Sequence, residues 1–195
     1  MISSKIGHAL DPAILGIYRF FLKNKSVNPD TLTICGVLFG LATSACIAFD
    51  YMLTAAIMLA VSGLFDLMDG AVARHTNRVT RFGGFLDSVL DRYVDLFIML
   101  GIFIHFLRQG DSFYSIIVFI ASIGTAIIPY AKARAEAASL GCNTGIVERP
   151  ERLVIIFIGL CFNVLGYAVL VLAVLTHVTV IQRIIFVKKN SQDSK

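Results

Sequence analysis

Apolar residues gather in six windows along the chain, at about 31–50, 53–74, 84–107, 113–138, 150–163 and 165–187, separated by short polar breaks. A helix needs about 20 apolar residues to cross the ~30 Å hydrocarbon layer at ~1.5 Å per residue. Five windows meet that length; the fifth in order is short and is expected to tilt or to begin within the preceding loop. Ahead of them, Ile6, Leu10, Ile14, Ile17 and Phe21 recur at three- and four-residue steps, with Lys5, His8, Arg19 and Lys23 elsewhere. That is the pattern of an amphipathic helix lying in a membrane interface. Asn28-Pro29-Asp30-Thr31 then resets the direction, because the residue before proline is held extended and a capping residue precedes the next apolar run. The fold class expected is an all-α integral membrane protein: six transmembrane helices preceded by an N-terminal amphipathic interfacial helix. Its parts are an arm over 1–27, a six-helix domain over 28–188 and a cytoplasmic tail over 189–195.

Composition agrees with that class. The chain has 195 residues, 57% of them hydrophobic, and a mean hydropathy of +0.80, the signature of one membrane domain. A net charge of +4 is too small to argue for nucleic acid, so where the charges fall matters more. Six crossings return both termini to one side, and 15 of the 17 Lys and Arg residues then lie on that side; Arg108 lies opposite and Arg92 within a span. By the positive-inside rule that face is cytoplasmic, in a multi-pass protein of the cell membrane. Cys35, Cys46, Cys142 and Cys161 show no C-x-x-C or zinc-like spacing and read as packing residues. The first long apolar run starts too late for a cleaved signal peptide to be expected. His8, His75, His105 and His177 are too scattered for a histidine metal site or a Ser-His-Asp arrangement.

Four aspartates break the apolar pattern: Asp66 and Asp69 in the second window, Asp87 and Asp91 in the third. A carboxylate inside a bilayer costs at least ~2.5–3.5 kcal/mol, which something must offset. At about 100° per residue, Asp66, Asp69, Gly70 and Ala73 share one helical face, and Asp87 and Asp91 share another. For antiparallel helices joined near 75–82, the rise of ~1.5 Å per residue puts Asp69 ~7 Å and Asp66 ~12 Å below one helix end, and Asp87 ~6 Å and Asp91 ~12 Å below the other. The acids pair by level. Such an arrangement suits one or two hard cations, Mg²⁺ or Mn²⁺, with phosphate oxygens completing the shell.

Around the acids stand residues with two readings each. Gly70 and Ala73 leave room either for a ligand or for a neighbouring helix. Arg74 can fork onto a pyrophosphate or snorkel to the interface. Thr80 and Gly83 open the second acidic helix, whose N-terminus, read as uncapped, offers N–H groups to anions. Asp95 continues the acidic stripe as a supporting partner, with Arg92 nearby. Pro129 can kink the fourth helix, while Pro150 sits in its tolerated place near the start of the fifth. Lys132, Arg149, Arg152 and Arg183 can gather into a cationic pocket beside the acids or simply set topology.

The run D-x-x-D-G-x-x-A-R-x8-G-x-x-x-D-x-x-x-D, from Asp66 to Asp91, matches at every fixed position and resembles the signature of the CDP-alcohol phosphotransferases. The resemblance implies a six-helix fold over nearly the whole chain, and often a homodimer. It implies that Asp66, Asp69, Asp87 and Asp91 hold two divalent ions. CDP-diacylglycerol would then lie against Asn28, Gly70, Ala73, Arg74, Thr80 and Gly83, Asn28 being either near the nucleotide or part of a plain turn. Asp91 would accept the proton of the attacking hydroxyl. Lys132-Ala-Arg-Ala-Glu136 and Glu148-Arg-Pro-Glu-Arg-Leu-Val154 are similar to the phosphatidylinositol phosphate synthase branch. That similarity implies a phosphorylated polyol acceptor, inositol phosphate, held by Lys132, Arg152 or Arg149, and Arg183. Glycerol 3-phosphate is the next acceptor, and a divalent-cation transporter is the rival from another class, since intramembrane acids also mark ion pathways.

Overall fold

A computed structural model describes residues 29–76, 79–142 and 144–193, together with Gly16. Among these residues the chain forms six α-helices: α1 (Pro29–Ala48), α2 (Met52–His75), α3 (Arg81–Arg108), α4 (Ser112–Ala137), α5 (Arg149–Cys161) and α6 (Leu165–Asp193). Apart from Gly16, the expected arm over 1–27 lies outside the described residues, as do Asn28 and Arg78. Each apolar window has become one helix, and the last continues to Asp193, into the expected tail.

Among the described residues, four helices are long and apolar enough to cross a membrane: α1, α2, α4 and, over Leu165–Ser191, α6. α3 has the length, at 28 residues, but Asp87, Asp91, Arg92 and Asp95 crowd its first half. α5, at 13 residues, falls short of the span length. Large apolar side chains face outward along the bundle, among them Ile116, Phe119 and Ile123 of α4 and Tyr167, Val171 and Val174 of α6. In water so extensive an apolar surface would drive association; against acyl chains it is solvated.

The helix ends are set locally. Asp50 and Asn163 adopt left-handed backbone (φ 68° and 54°), as does Gly110 (φ 73°), and each stops a helix where few residue types tolerate the conformation. The Asp111 carboxylate accepts from the Tyr114 N–H at 3.1 Å and starts α4. Pro150 lies in the first turn of α5, and the Glu151 carboxylate accepts from the Glu148 N–H at 3.0 Å, half of a capping box.

α1 is the spine of the acidic half, because it packs against both α2 and α3, whereas α2 and α3 make little backbone contact with each other among the described residues. A stripe of small residues, Gly36, Gly40 and Ser44, lets the helices approach. Ser62 donates to the Gly36 carbonyl at 2.8 Å, and Ser44 donates to the Phe97 carbonyl. A Cβ on Gly40 would meet Val94 Cγ1 at 2.6 Å. Beyond the acids the bundle closes over an apolar core built on Ile47, Ile98, Ile102, Leu160 and Leu172, all fully buried. At that far end the His105 Nδ1 pairs with the Asp50 carboxylate, and Arg108 donates to the Ala48 carbonyl while lying over the Phe49 ring. The α1–α2 turn is thereby clasped to the end of α3.

Replacing Gly40 by Val overpacks the α1–α3 crossing and is expected to cost about 1–3 kcal/mol. Thermal unfolding in detergent should then begin roughly 3–10 °C lower; an unchanged melting temperature would show that the helices part freely there.

Candidate active site

The sequence levels the acids in pairs, and the bundle brings three of them to one point. Asp66, Asp87 and Asp91 each offer an oxygen, and all three oxygens lie within 4.8 Å of one another. Asp69 stands apart from that trio: its Oδ2 accepts from the Thr33 hydroxyl at 2.6 Å, and it lines a cleft together with Asp87. Thr33 belongs to no motif in the sequence. Its signal is a hydroxyl two residues beyond Thr31, at the mouth of an otherwise apolar run.

The donor set fits a divalent cation. Its ligand atoms are hard carboxylate oxygens, and Asp87 Oδ1 is buried with no hydrogen-bond partner. A buried acceptor is costly to leave unmatched, and a cation is the partner that satisfies it.

On one side of the acids opens a cleft of about 360 Å³ between the starts of α1 and α3 and the end of α2. Of the residues that the resemblance puts against CDP-diacylglycerol, Gly70, Ala73, Arg74, Thr80 and Gly83 line it, with Asp69 and Asp87 in its wall. The Arg74 guanidinium lies over Gly70, where an added Cβ would meet Nη1 at 3.1 Å. Gly70 therefore makes room for Arg74 in the cleft. The start of α3 is not open as expected: Thr80 Oγ1 accepts from the Gly83 N–H at 2.9 Å and caps it. A Cβ on Gly83 would press on that hydroxyl at 3.0 Å, so the pair works as a unit. The lone threonine cap lacks the glutamate three residues on that makes such caps conspicuous in sequence.

On the other side lies a second cavity of about 300 Å³, between α4, α5 and α6, with Asp66 and Asp91 in its wall. All four expected cations, Lys132, Arg149, Arg152 and Arg183, line it. Their states differ. Lys132 is half-exposed, its ammonium 4.0 Å from Glu136. Arg183 is buried and held by the Thr144 carbonyl at 2.9 Å, the Ile128 carbonyl and, at 3.5 Å, Glu148. Arg152 is buried against Asp95, with Nη2 2.6 Å from Oδ2. Arg149 reaches across to Asp66 at 2.8 Å and Asp91 at 2.9 Å. Proximity along α3 points to Arg92 as a partner for Asp95; the structure pairs Asp95 with Arg152 and, at 3.5 Å, Arg149. The reason is helix packing: α5 lies against α2 and α6, and its arginines reach from there to Asp95.

The architecture and sequence both have counterparts. The archaetidylinositol phosphate synthase of Pyrococcus horikoshii is 40% identical over 169 residues, covering 86% of this chain and 87% of the relative. The crystal structure of Mycobacterium tuberculosis phosphatidylinositol phosphate synthase with CDP-DAG bound superposes with a TM-score of 0.79 at 30% identity, over 91% of this chain and 92% of that one. The same enzyme in complex with manganese and citrate gives a TM-score of 0.77 at 30% identity, over 90% and 87%. Because the family model for CDP-alcohol phosphatidyltransferase also matches residues 26–185, most of the chain, the protein belongs to the CDP-alcohol phosphatidyltransferase family.

Proposed function

We propose that the protein transfers a phosphatidyl group from CDP-diacylglycerol to a hydroxyl of inositol phosphate and releases CMP. One observation carries this reading: two cavities, one holding Arg74 and the other lined by five cationic side chains, meet at the same group of aspartates. A donor diphosphate on one side and an acceptor phosphate on the other would place hydroxyl and phosphorus together between them. The Pyrococcus relative is named for an archaetidyl product and the Mycobacterium tuberculosis structure for a phosphatidyl one, and both names carry inositol phosphate. That shared half of the names supports the acceptor over glycerol 3-phosphate. The archaetidyl half of the Pyrococcus name favours a second reading of the donor, the corresponding archaetidyl lipid, which an assay with both CDP-lipids separates.

Asp66, Asp69, Asp87 and Asp91 would hold divalent ions, two in this reading and Mg²⁺ or Mn²⁺ in kind, supported by the manganese complex of the related enzyme. Bound there, they supply neutralisation of charge on the diphosphate and the leaving group. Thr33 holds Asp69 in place through its hydroxyl. Arg74 and the capped start of α3 orient the diphosphate from the cleft side, while Lys132 and Arg149 receive the acceptor phosphate. Arg152 and Arg183 build the wall behind it, since both are spent on buried partners. Asp91 takes the proton of the acceptor hydroxyl, whose oxygen attacks the phosphorus bearing the lipid as the bond to the CMP oxygen breaks.

The bundle crosses the cell membrane six times, with both termini and the acids toward the cytoplasm, and works as a homodimer. In α3 the run from Leu96 to Leu107 carries no Asp, Glu, Lys or Arg, and α5 packs along α6, so both can lie in the bilayer as parts of the bundle. The interfacial arm over 1–27 belongs to the same reading. A transporter is less well supported, because past Asp95 the interior closes over Ile98, Ile102 and Ile47.

Four outcomes test the proposal, three of them in purified protein with labelled CDP-lipid. Asp91→Asn should release CMP at least ~100-fold more slowly with both substrates saturating, the usual scale for removing a general base; near-normal turnover would remove Asp91 from that role. Chelation of divalent ions should abolish transfer, and Mn²⁺ or Mg²⁺ should restore it. Lys132→Gln should raise the acceptor KM about tenfold with kcat little changed, whereas Arg152→Gln, which strands the buried Asp95 carboxylate, should lower the melting temperature by the equivalent of about 3–5 kcal/mol.

A further inference from the structure

Arg149 stands between two sets of partners. The capping box and Pro150 fix its backbone at the start of α5, and its long side chain spans the boundary between acids and basic cavity. Its Nη1 lies 2.8 Å from Asp66 Oδ1 and its Nη2 2.9 Å from Asp91 Oδ1. Nε is 3.5 Å from Asp95 Oδ1, yet it is buried with no hydrogen bond made. Asp66 and Asp91 belong to the trio whose oxygens converge within 4.8 Å. The guanidinium therefore stands where a cation would draw on the same oxygens. On its other flank Arg149 lines the cavity with Lys132, Arg152 and Arg183.

Two of those neighbours are not available to exchange partners. Arg152 is tied to Asp95 at 2.6 Å, and Arg183 to two main-chain carbonyls and Glu148. Of the four arginines lining the cavity, Arg149 forks the two carboxylates that a divalent ion would claim, while Arg92 reaches Asp91 only at 3.8 Å. A doubly charged ion beside a guanidinium repels it, and an oxygen turned toward the ion is lost to the N–H donor. The nearest place for the displaced charge is the cavity next door, where an incoming phosphate would satisfy its planar fork.

We infer that Arg149 is a hinge between the two subsites: it neutralises Asp66 and Asp91 while the cation is away, and swings to the acceptor phosphate when the cation takes their oxygens. Cation and phosphate then bind with positive linkage, and Asp91 is released to serve as base once both are seated. The inference rests on the functional reading above and adds the coupling between its two ligands.

The test is binding to the full-length protein in detergent, with Mn²⁺ and inorganic phosphate as probes and free Mn²⁺ read by its paramagnetic resonance. Saturating phosphate should tighten Mn²⁺ binding about tenfold, within the usual range for linked sites. Arg149→Gln should bind Mn²⁺ alone about tenfold more tightly than the native protein, because the competing cation is gone, and phosphate should then change that affinity less than twofold. Lys132→Gln should weaken phosphate while keeping the linkage. Linkage of equal size in Arg149→Gln, or Mn²⁺ bound no more tightly by it, overturns the hinge. If that variant does not fold, Arg149→Lys decides: a single ammonium cannot fork two carboxylates, so linkage should fall at least threefold, and an unchanged value overturns the inference. Absence of Mn²⁺ binding by the native protein, or binding untouched by Asp87→Asn, would instead refute the assignment of the aspartates themselves.

Discussion

Like charges held close in a poor dielectric are the constraint under which this structure is built. At 4.8 Å, two carboxylates at an effective dielectric constant near 20 repel by about 3.5 kcal/mol. Three of them converge in the bundle, with Asp69 and Asp95 close by. The fold meets this with cations rather than with distance. Arg149 bridges Asp66 and Asp91, and Arg152 compensates Asp95 from below. Asp69 takes a neutral donor, Thr33, and Asp87 keeps a buried oxygen unmatched. The acids nearest the interior are thus the most fully neutralised by the protein, and those nearest the cleft are left for a ligand.

Such a cluster needs a frame that does not yield, and α1 supplies it. Were α2 and α3 packed directly on each other, their acidic faces would have no room for an ion. Gly36, Gly40 and Ser44 let α1 lie against both instead, each contact tightened by a serine hydroxyl donating to a carbonyl of the other helix. The far-end clasp of His105 with Asp50 secures the same three helices at the opposite pole. The acids therefore sit in a gap whose width is set by backbone-to-backbone approach, which small residues control more firmly than large ones.

Much of this was written in the sequence because the relevant period is local. Helical windows follow from hydropathy, and the pairing of Asp66 with Asp91 follows from the rise per residue; in the structure Arg149 spans that same level. Other features depend on which helices touch, and no local period encodes that. Hence the sequence points Asp95 to its neighbour Arg92 although its partners come from α5, and leaves Thr33 unmarked although it holds Asp69. The cap of α3 is hard to read for a different reason: Thr80 works alone, without the acidic companion of a capping box. The capping box at Glu148 and Glu151, by contrast, lies open in the sequence once Pro150 is read as a first-turn residue.

The two cavities flanking the acids have a stereochemical consequence. Donor and acceptor for the proposed transfer can be seated at once on opposite sides of one group of carboxylates, so no side chain need carry the lipid phosphate between them. A handover of that kind is a single displacement. The entering and departing oxygens then lie on opposite faces of the phosphorus, and a chiral phosphorus centre would leave the enzyme inverted.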